Sequence, residues 1–333
     1  MAADGPAWVP TGRLGERLDV VGIGEPMVLF QVPPPGTLRT ADTAHISVAG
    51  AELNVCAAIA SLGGRAGLLS RVGNDLPGQR VMREMELLGV SREHTVVDAT
   101  EPTAVFLRET PSDGRRQVTY YREGSAASTM DASDLTRLWA SHRPRAVSVS
   151  GLTAALGPGL PDLIRAAAES AAEHGVAFVL DANLREGLPF LHRAIDTVTA
   201  VLPLTDLLAL GTDESVQLFG AAEPGEVFAA ARAAGASEVV LKAGADGCWY
   251  EDERGEPAHV PAMPTRVVDP IGAGDAFLGG YLGARLSGAP TRASAVLGAR
   301  LAARVIQSLG DTQGLPSPEE GALMCADALA ITQ

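Results

Sequence analysis

Along most of the chain a short run of consecutive apolar residues gives way to a longer segment whose apolar residues recur every three or four positions. The runs "RLDVVGIG", "AGLLSRVG", "AVSVSG", "VAFVLDAN", "AVLPL" and "EVVLKAG" read as strands. The segments "AELNVCAAIASLG", "LPGQRVMREMELLG", "LPDLIRAAAESAAEHG", "PGEVFAAARAAG" and "TRASAVLGARLAARVIQSLG" read as helices, each closing on a glycine. Strands that are apolar at nearly every position have no solvent face. Alternating with helices, they predict an α/β fold whose mostly parallel sheet is covered on both sides.

Two stretches break the rhythm. Residues 27–48 and 102–124 carry short β-rich runs and turn residues with no helical segment between them, and "ETPSDGRRQ" reads as the turn of a hairpin. Together they can build a small second sheet, a lid overhanging the strand ends where α/β folds bind ligands, or extend an edge of the main sheet. The organisation expected is a loose tail over residues 1–17, a core of 18–26, 49–101 and 125–333, and a lid of 27–48 and 102–124.

Composition narrows the function. With 333 residues and 46% apolar against 20% charged positions, the chain can bury a large core. A net charge of -14 leaves no basic surface for nucleic acid. Cys56, Cys248 and Cys325 have no metal-binding spacing, and Cys56 lies in an apolar helical run as a small hydrophobe. No stretch resembles a membrane span or a signal peptide, so a cytoplasmic location and no membrane partner are expected.

The candidate chemistry begins at "DPIGAGDAFLGGYLGARL", Asp269 to Leu286. Gly272, Ala273 and Gly274 precede an amphipathic helix, and small side chains there let an anion approach the unpaired N–H groups of a helix start. Asp275 in such a place either caps the helix or acts on what binds.

"DPIGAGDAF", together with "AGAELN" at 49–54 and the βα alternation, resembles the ribokinase-like carbohydrate kinase family over roughly Asp19 to Pro318. The resemblance implies a three-layer α/β/α fold with a β lid, and ATP with Mg2+ as cofactors. It admits a monovalent cation such as K+ and a homo-oligomer, dimer or larger. It makes Gly272, Ala273 and Gly274 the anion hole for the transferring phosphoryl group and Asp275 the general base for a sugar hydroxyl, a division of labour that suits phosphoryl transfer. Pro270 stands where the family more often has Thr.

The stretches "VTYYREGSAAS", "LDANLR", "GAELN" and "GDTQGLP" resemble the 2-keto-3-deoxygluconate kinase branch. That resemblance implies a small sugar or sugar acid as partner, contacted by Glu25, Gly50, Ala51, Asn54, Tyr120, Arg122, Arg185 and Asp311. Phe106 stands where the branch often has tyrosine. Arg122 and Arg185 suit a carboxylate, since a guanidinium binds it bidentately. The adjacent Arg115 and Arg116 read as solvated hairpin charges. Tyr120 and Tyr121 alternate faces, so only one of them can face the cleft.

On the nucleotide side, "KAGADG" resembles the family's ATP-contacting loop through Lys242, Gly244 and Gly247, or is an ordinary glycine turn. Asn183 and Arg185 join that set. Glu214, in "GTDESVQLFG", would orient magnesium-bound water, or is a first-turn acid favoured by the helix dipole. "GIGEPM" lacks the third glycine of a dinucleotide fingerprint. The function expected is phosphorylation of 2-keto-3-deoxygluconate to its 6-phosphate. A ribokinase or fructokinase activity is the alternative within the family, and a non-catalytic sugar binder the alternative outside catalysis.

Overall fold

The computed structural model describes residues 12–185 and 190–330. The first eleven residues of the expected tail, and the four after Arg185, lie outside the described residues. Within the remainder of the tail, Leu14 packs against the core and the Gly15 N–H donates to Asp19 at 2.8 Å.

In chain order the strands are β1 (Val20–Ile23), β2 (Met27–Gln31), β3 (His45–Ala49), β4 (Ala66–Gly73), β5 (Val90–Ser91), β6 (Thr95–Asp98), β7 (Val105–Glu109), β8 (Gln117–Tyr121), β9 (Ala146–Ser150), β10 (Ala177–Asp181), β11 (Leu207–Gly211), β12 (Glu238–Lys242), β13 (Cys248–Glu251) and β14 (Pro257–Val260). Among the described residues the main sheet runs β14-β13-β12-β11-β10-β9-β1-β4-β5, with β6 also on β4. From β12 to β5 every pairing is parallel; β13 and β14 close one edge as an antiparallel hairpin.

Why the central strands are apolar throughout follows from their alternation. Val21, Ile23, Val147, Val149, Leu208 and Leu210 enter one core, while Val20, Ala146, Leu207 and Ala209 enter the other, on the opposite face. Helices cover both faces, giving the three-layer architecture.

One strand differs from the sequence expectation. "AVLPL" ends the helix Leu191–Val201 and passes into a 3-10 turn, Leu202–Leu204. Ala194, Thr197, Val198 and Val201 are buried at helical spacing, so the apolar run continues a helix face. Pro203 cannot donate to a sheet ladder. The strand is instead β11, "LLALG", seven positions further on. The β13–β14 hairpin and the helix Pro318–Ala330 also went unread in the sequence.

The two segments without βα rhythm supply a separate sheet, β3-β2-β7-β8. It is mixed: β2 pairs antiparallel with β3 and parallel with β7, and β7 turns back onto β8 as the expected hairpin, Glu109 opposite Gln117. β1 runs into β2 through Gly24, Glu25 and Pro26, and β3 runs into the helix Ala51–Ser61 through Gly50. The junction between the sheets therefore lies at the C-terminal ends of the parallel strands.

The helix Ala51–Ser61 packs on the helix Ala273–Leu286. The contact is close because Gly279 has no side chain: a Cβ there would fall 2.4 Å from the Ala58 Cβ. Gly279→Ala should therefore overpack the seam at a cost of about 1–3 kcal/mol, outweighing the gain in helix propensity. The expected outcome is a melting temperature lowered by a few degrees, read by calorimetry; an unchanged or raised value would show that the two helices can separate freely.

Candidate active site

The helix Ala273–Leu286 begins with Gly272 in the left-handed region, φ 78°. Both that φ and the close passage of Asp311, whose carbonyl oxygen would lie 2.6 Å from a Cβ, require glycine. In the first turn the Ala273 N–H donates to the Pro270 carbonyl oxygen at 3.4 Å, which leaves Gly274 and Asp275 as the unpaired N–H donors of this helix start among the described residues.

Asp275 is buried and accepts a hydrogen bond from Asn54 Nδ2 at 2.7 Å; the same amide reaches Asp311 at 3.3 Å. Burial pushes the Asp275 carboxyl up to about 7; Asp181 and Asp311 push the same way, against the Asn54 bond and Arg185. Burial also raises Asp311, although Arg108 opposes it. Arg108 bridges Asp311 at 3.4 Å and Asp269 at 3.0 Å, and Gln31 donates to Asp269 at 3.4 Å. Asn54 Oδ1, Arg108 Nε and Gln31 Oε1 are buried with no hydrogen-bond partner among the described residues. Unused polar atoms of this kind suit a polyhydroxylated ligand.

On the other side of Asp275, Lys242 Nζ donates to both oxygens of Asp181 at 2.7 Å. Burial opposes the Lys242 charge, yet Asp181 and Glu214 hold its pKa above the usual value. Glu214 accepts from the Gly211 N–H at 2.6 Å, which makes it a helix cap; burial raises its carboxyl, against the pull of Lys242. Beside Lys242 opens a cavity of about 630 Å³, walled by Met263, Val267, Phe277 and Ile306 and ending at Gly244 and Gly274. Its size and apolar walls fit a nucleotide base, and its polar end at a helix start fits phosphates. The two loop glycines differ in cause: a Cβ at Gly244 would meet open space, whereas one at Gly247 would strike the Val260 carbonyl oxygen at 2.1 Å. Gly247 is thus demanded by its own chain.

The remaining expected residues fall nearby. Gly50 lets the chain cross Glu25, whose carbonyl oxygen would lie 2.7 Å from a Cβ, and Ala51 starts the helix that carries Asn54. Glu25 is buried and holds Arg122 through Nε at 2.8 Å and Nη2 at 2.5 Å, with the Ser125 hydroxyl on its other oxygen. Arg122 also lies over the Tyr120 ring, 5.1 Å from its centroid, and Tyr120 stacks on Phe106. Tyr120 and Phe106 pair across the hairpin on one face; Tyr121 takes the other and is exposed. Arg185 is exposed and donates to Asn183, a non-glycine residue at φ 40°.

Sequence reasoning missed Arg108, Asp269, Gln31 and Asp181. Period-two alternation was the available signal for Arg108, which shares the inward face of β7 with Phe106. Arg115 and Arg116 are exposed, as the hairpin reading expects, and Arg116 in addition reaches the buried Asp269 at 3.4 Å.

Residues 17–318 match the model of the pfkB family carbohydrate kinases. The chain belongs to that family. The kinase is 33% identical to the 2-dehydro-3-deoxygluconokinase of Thermoproteus tenax over 91% of this chain and 93% of the relative. It is 31% identical to the 2-dehydro-3-deoxygluconokinase of Bacillus subtilis over 91% and 94%. A solved PfkB protein from Polaromonas sp. JS666 superposes with a TM-score of 0.81 at 32% identity, covering 91% of this chain and 98% of that one. Among the described residues no helix of the kinase is long and apolar enough to cross a membrane.

The sign of the pH dependence follows from Asp275. With its pKa raised from 3.8 to about 7, the native state binds more protons than the unfolded chain across that interval, so this group's contribution to stability falls as pH rises. Asp275→Asn removes the charge at every pH. Its melting temperature should exceed the parent's by more at pH 8 than at pH 5; a gap that does not widen would refute the raised pKa.

Proposed function

We propose that the kinase transfers the γ-phosphoryl group of ATP to the 6-hydroxyl of 2-keto-3-deoxygluconate, the compound also called 2-dehydro-3-deoxygluconate. The observation that carries the reading is the position of Asp275. It follows Gly274, which borders the nucleotide-sized cavity, and it is bonded to Asn54, which with Arg108 and Gln31 carries buried polar atoms without a partner among the described residues; burial raises its carboxyl to about 7. A base poised near neutrality takes the proton of the attacking hydroxyl without needing a strongly alkaline medium. The N–H groups of Gly274 and Asp275 are the donors that meet the charge developing on the phosphoryl oxygens, and Lys242 adds a fixed cation. Bound Mg2+ would neutralise phosphate charge, with Asp181 and Glu214 the carboxylates available to hold it through water. Asn54 and Asp311, bonded to each other beside Asp275, are the groups proposed to orient sugar hydroxyls.

The identity of the substrate rests on the two curated relatives named above and on the guanidinium groups near the pocket. In a chain of net charge -14 long-range attraction opposes an acidic substrate, so its affinity must come from short charge-assisted hydrogen bonds. Arg122, already oriented by Glu25, and Arg185 are the groups proposed to read the carboxylate.

Asp275→Asn should lower kcat by about two to four orders of magnitude while nucleotide affinity, measured by calorimetry, stays near the parent value. In the parent, kcat/KM should rise with pH through about 7. Turnover of the variant within a few-fold of the parent would remove Asp275 from the role of base.

Arg122→Lys keeps the charge and loses the planar fork, so KM for 2-keto-3-deoxygluconate should rise about tenfold or more. An uncharged analogue should bind poorly to the parent and lose little further in the variant. Faster phosphorylation of fructose or ribose than of the keto-deoxy acid would overturn the substrate and leave the phosphoryl-transfer chemistry standing.

A further inference from the structure

A second cluster of chemically capable side chains lies at the far end of the sheet. β5 pairs with the first residues of β4, Val90 opposite Ala66, so the turn that follows β5 sits at the N-terminal ends of the parallel strands. Lys242 and Asp181, which face the phosphoryl-transfer site, are the last residues of β12 and β10. That turn carries Glu93 and His94. His142, the residue that ends the helix Leu135–Ser141, packs edge-on against the His94 ring with centroids 5.4 Å apart. One donor atom from each of Glu93, His94 and His142 lies within 4.8 Å of the other two.

The polar bookkeeping of this cluster is incomplete. His94 is 3% exposed, and neither its Nδ1 nor that of His142 has a hydrogen-bond partner among the described residues. Glu93 Oε1 stands 3.6 Å from His142 Nδ1, beyond hydrogen-bond distance. Leaving a buried ring nitrogen without a partner costs folding free energy, and such a group asks for an explanation. The rings open on a cleft of about 560 Å³ shared with Arg65 and Glu86, roomy enough for water or an external ligand beside an ion.

We propose that Glu93, His94 and His142 form a binding site for a divalent transition-metal ion of the zinc class. Two imidazoles with one carboxylate and no thiolate suit Zn2+, Co2+ or Ni2+, whereas Mg2+ selects oxygen ligands. Burial, with His142 and Arg137, holds the His94 imidazole below its usual pKa against the pull of Glu93, and the neutral ring is the form that ligates. Ligand atoms around a tetrahedral ion lie roughly 3.4 Å apart, given bonds near 2.1 Å, so the cluster must contract by about an ångström. His94 is fixed by the backbone on both sides, with Thr95 bonded to Arg92 and Ser70 to the His94 carbonyl. The movable members are Glu93 and His142, whose side chains are 53% and 32% exposed. An ion here would tie the β5–β6 turn to the end of the helix Leu135–Ser141, outside the phosphoryl-transfer site.

The test uses the full chain, stripped of metal by a chelator and titrated with Zn2+ against a chromophoric competitor, and separately with Co2+ while visible absorption is followed. His142→Gln and Glu93→Gln leave His94 in place and should leave Mg2+-dependent phosphoryl transfer unchanged. The parent should take up one equivalent of Zn2+ that His142→Gln binds more than about tenfold more weakly, with Glu93→Gln between them. Zn2+ should also raise the melting temperature of the parent and not that of His142→Gln. Co2+ should give tetrahedral absorption in the parent alone. Equal stoichiometry and affinity in the parent and both variants would place any bound ion at Asp181 and Glu214 or on the surface, and would overturn the proposal.

Discussion

Like charges crowded out of water are the constraint on which the site depends. Asp181, Asp269, Asp275 and Asp311 all lie buried around one space, and burial raises the carboxyls of Asp275 and Asp311. Lys242 and Arg108 answer three: Asp181 is paired with the first, Asp269 and Asp311 with the second. Among the described residues Asp275 is hydrogen-bonded to the neutral amide of Asn54 alone, with the Arg185 charge acting from further off. Asp311 is raised even beside Arg108, and Asp275, with no cation at hydrogen-bonding distance, is driven by burial up to about 7, with Asp181 and Asp311 pushing the same way.

That matching joins the two sheets. Arg108 comes from β7 of the smaller sheet, and the carboxylates it balances come from two loops of the core, Asp269 from the one before the helix Ala273–Leu286 and Asp311 from the one before the helix Pro318–Ala330. Glu25, at the crossing from β1 to β2, binds Arg122 from just beyond β8. A paired buried charge that loses its partner is far more costly than the pair is worth. The smaller sheet is therefore held to the larger at points beside Asp275, and the fit of the two sheets and the charge balance around that carboxyl are set together.

How much of this was legible varies with distance along the chain. Local rules gave most of the longer helices, most of the parallel strands and the hairpin of residues 102–124, because apolar period and turn chemistry act over a few residues. "AVLPL" misled because an apolar run continuing a helix face looks like a buried strand, and only Pro203 argued against it. The glycines and Asp275 at the start of the helix Ala273–Leu286 stood out as an acid in an anion site. Arg108, Asp269 and Arg116 did not, since each is explained by a partner more than 150 residues away in sequence or by a charge that composition cannot locate. Arg122 was found, but its pairing with Glu25 across 97 positions was not. Glu214 shows the converse: both readings of it were open in the sequence, and its bond to Gly211 fits the plainer one.

The order in which these parts leave the ribosome gives the sheet a history. β1, near the start, finds β4 early but lies exposed on its other edge until β9 is made, more than a hundred residues later. Such long-range parallel pairing is slow and leaves apolar edges open during synthesis. The charge cluster closes later still. Arg108 and Asp181 are in place long before Asp269, Asp275 and Asp311 emerge, and until they do Arg108 is a guanidinium with no carboxylate of its own to meet. A nascent chain that has already built most of its sheet thus still lacks a site, and catalytic competence arrives with the last fifth of the polypeptide.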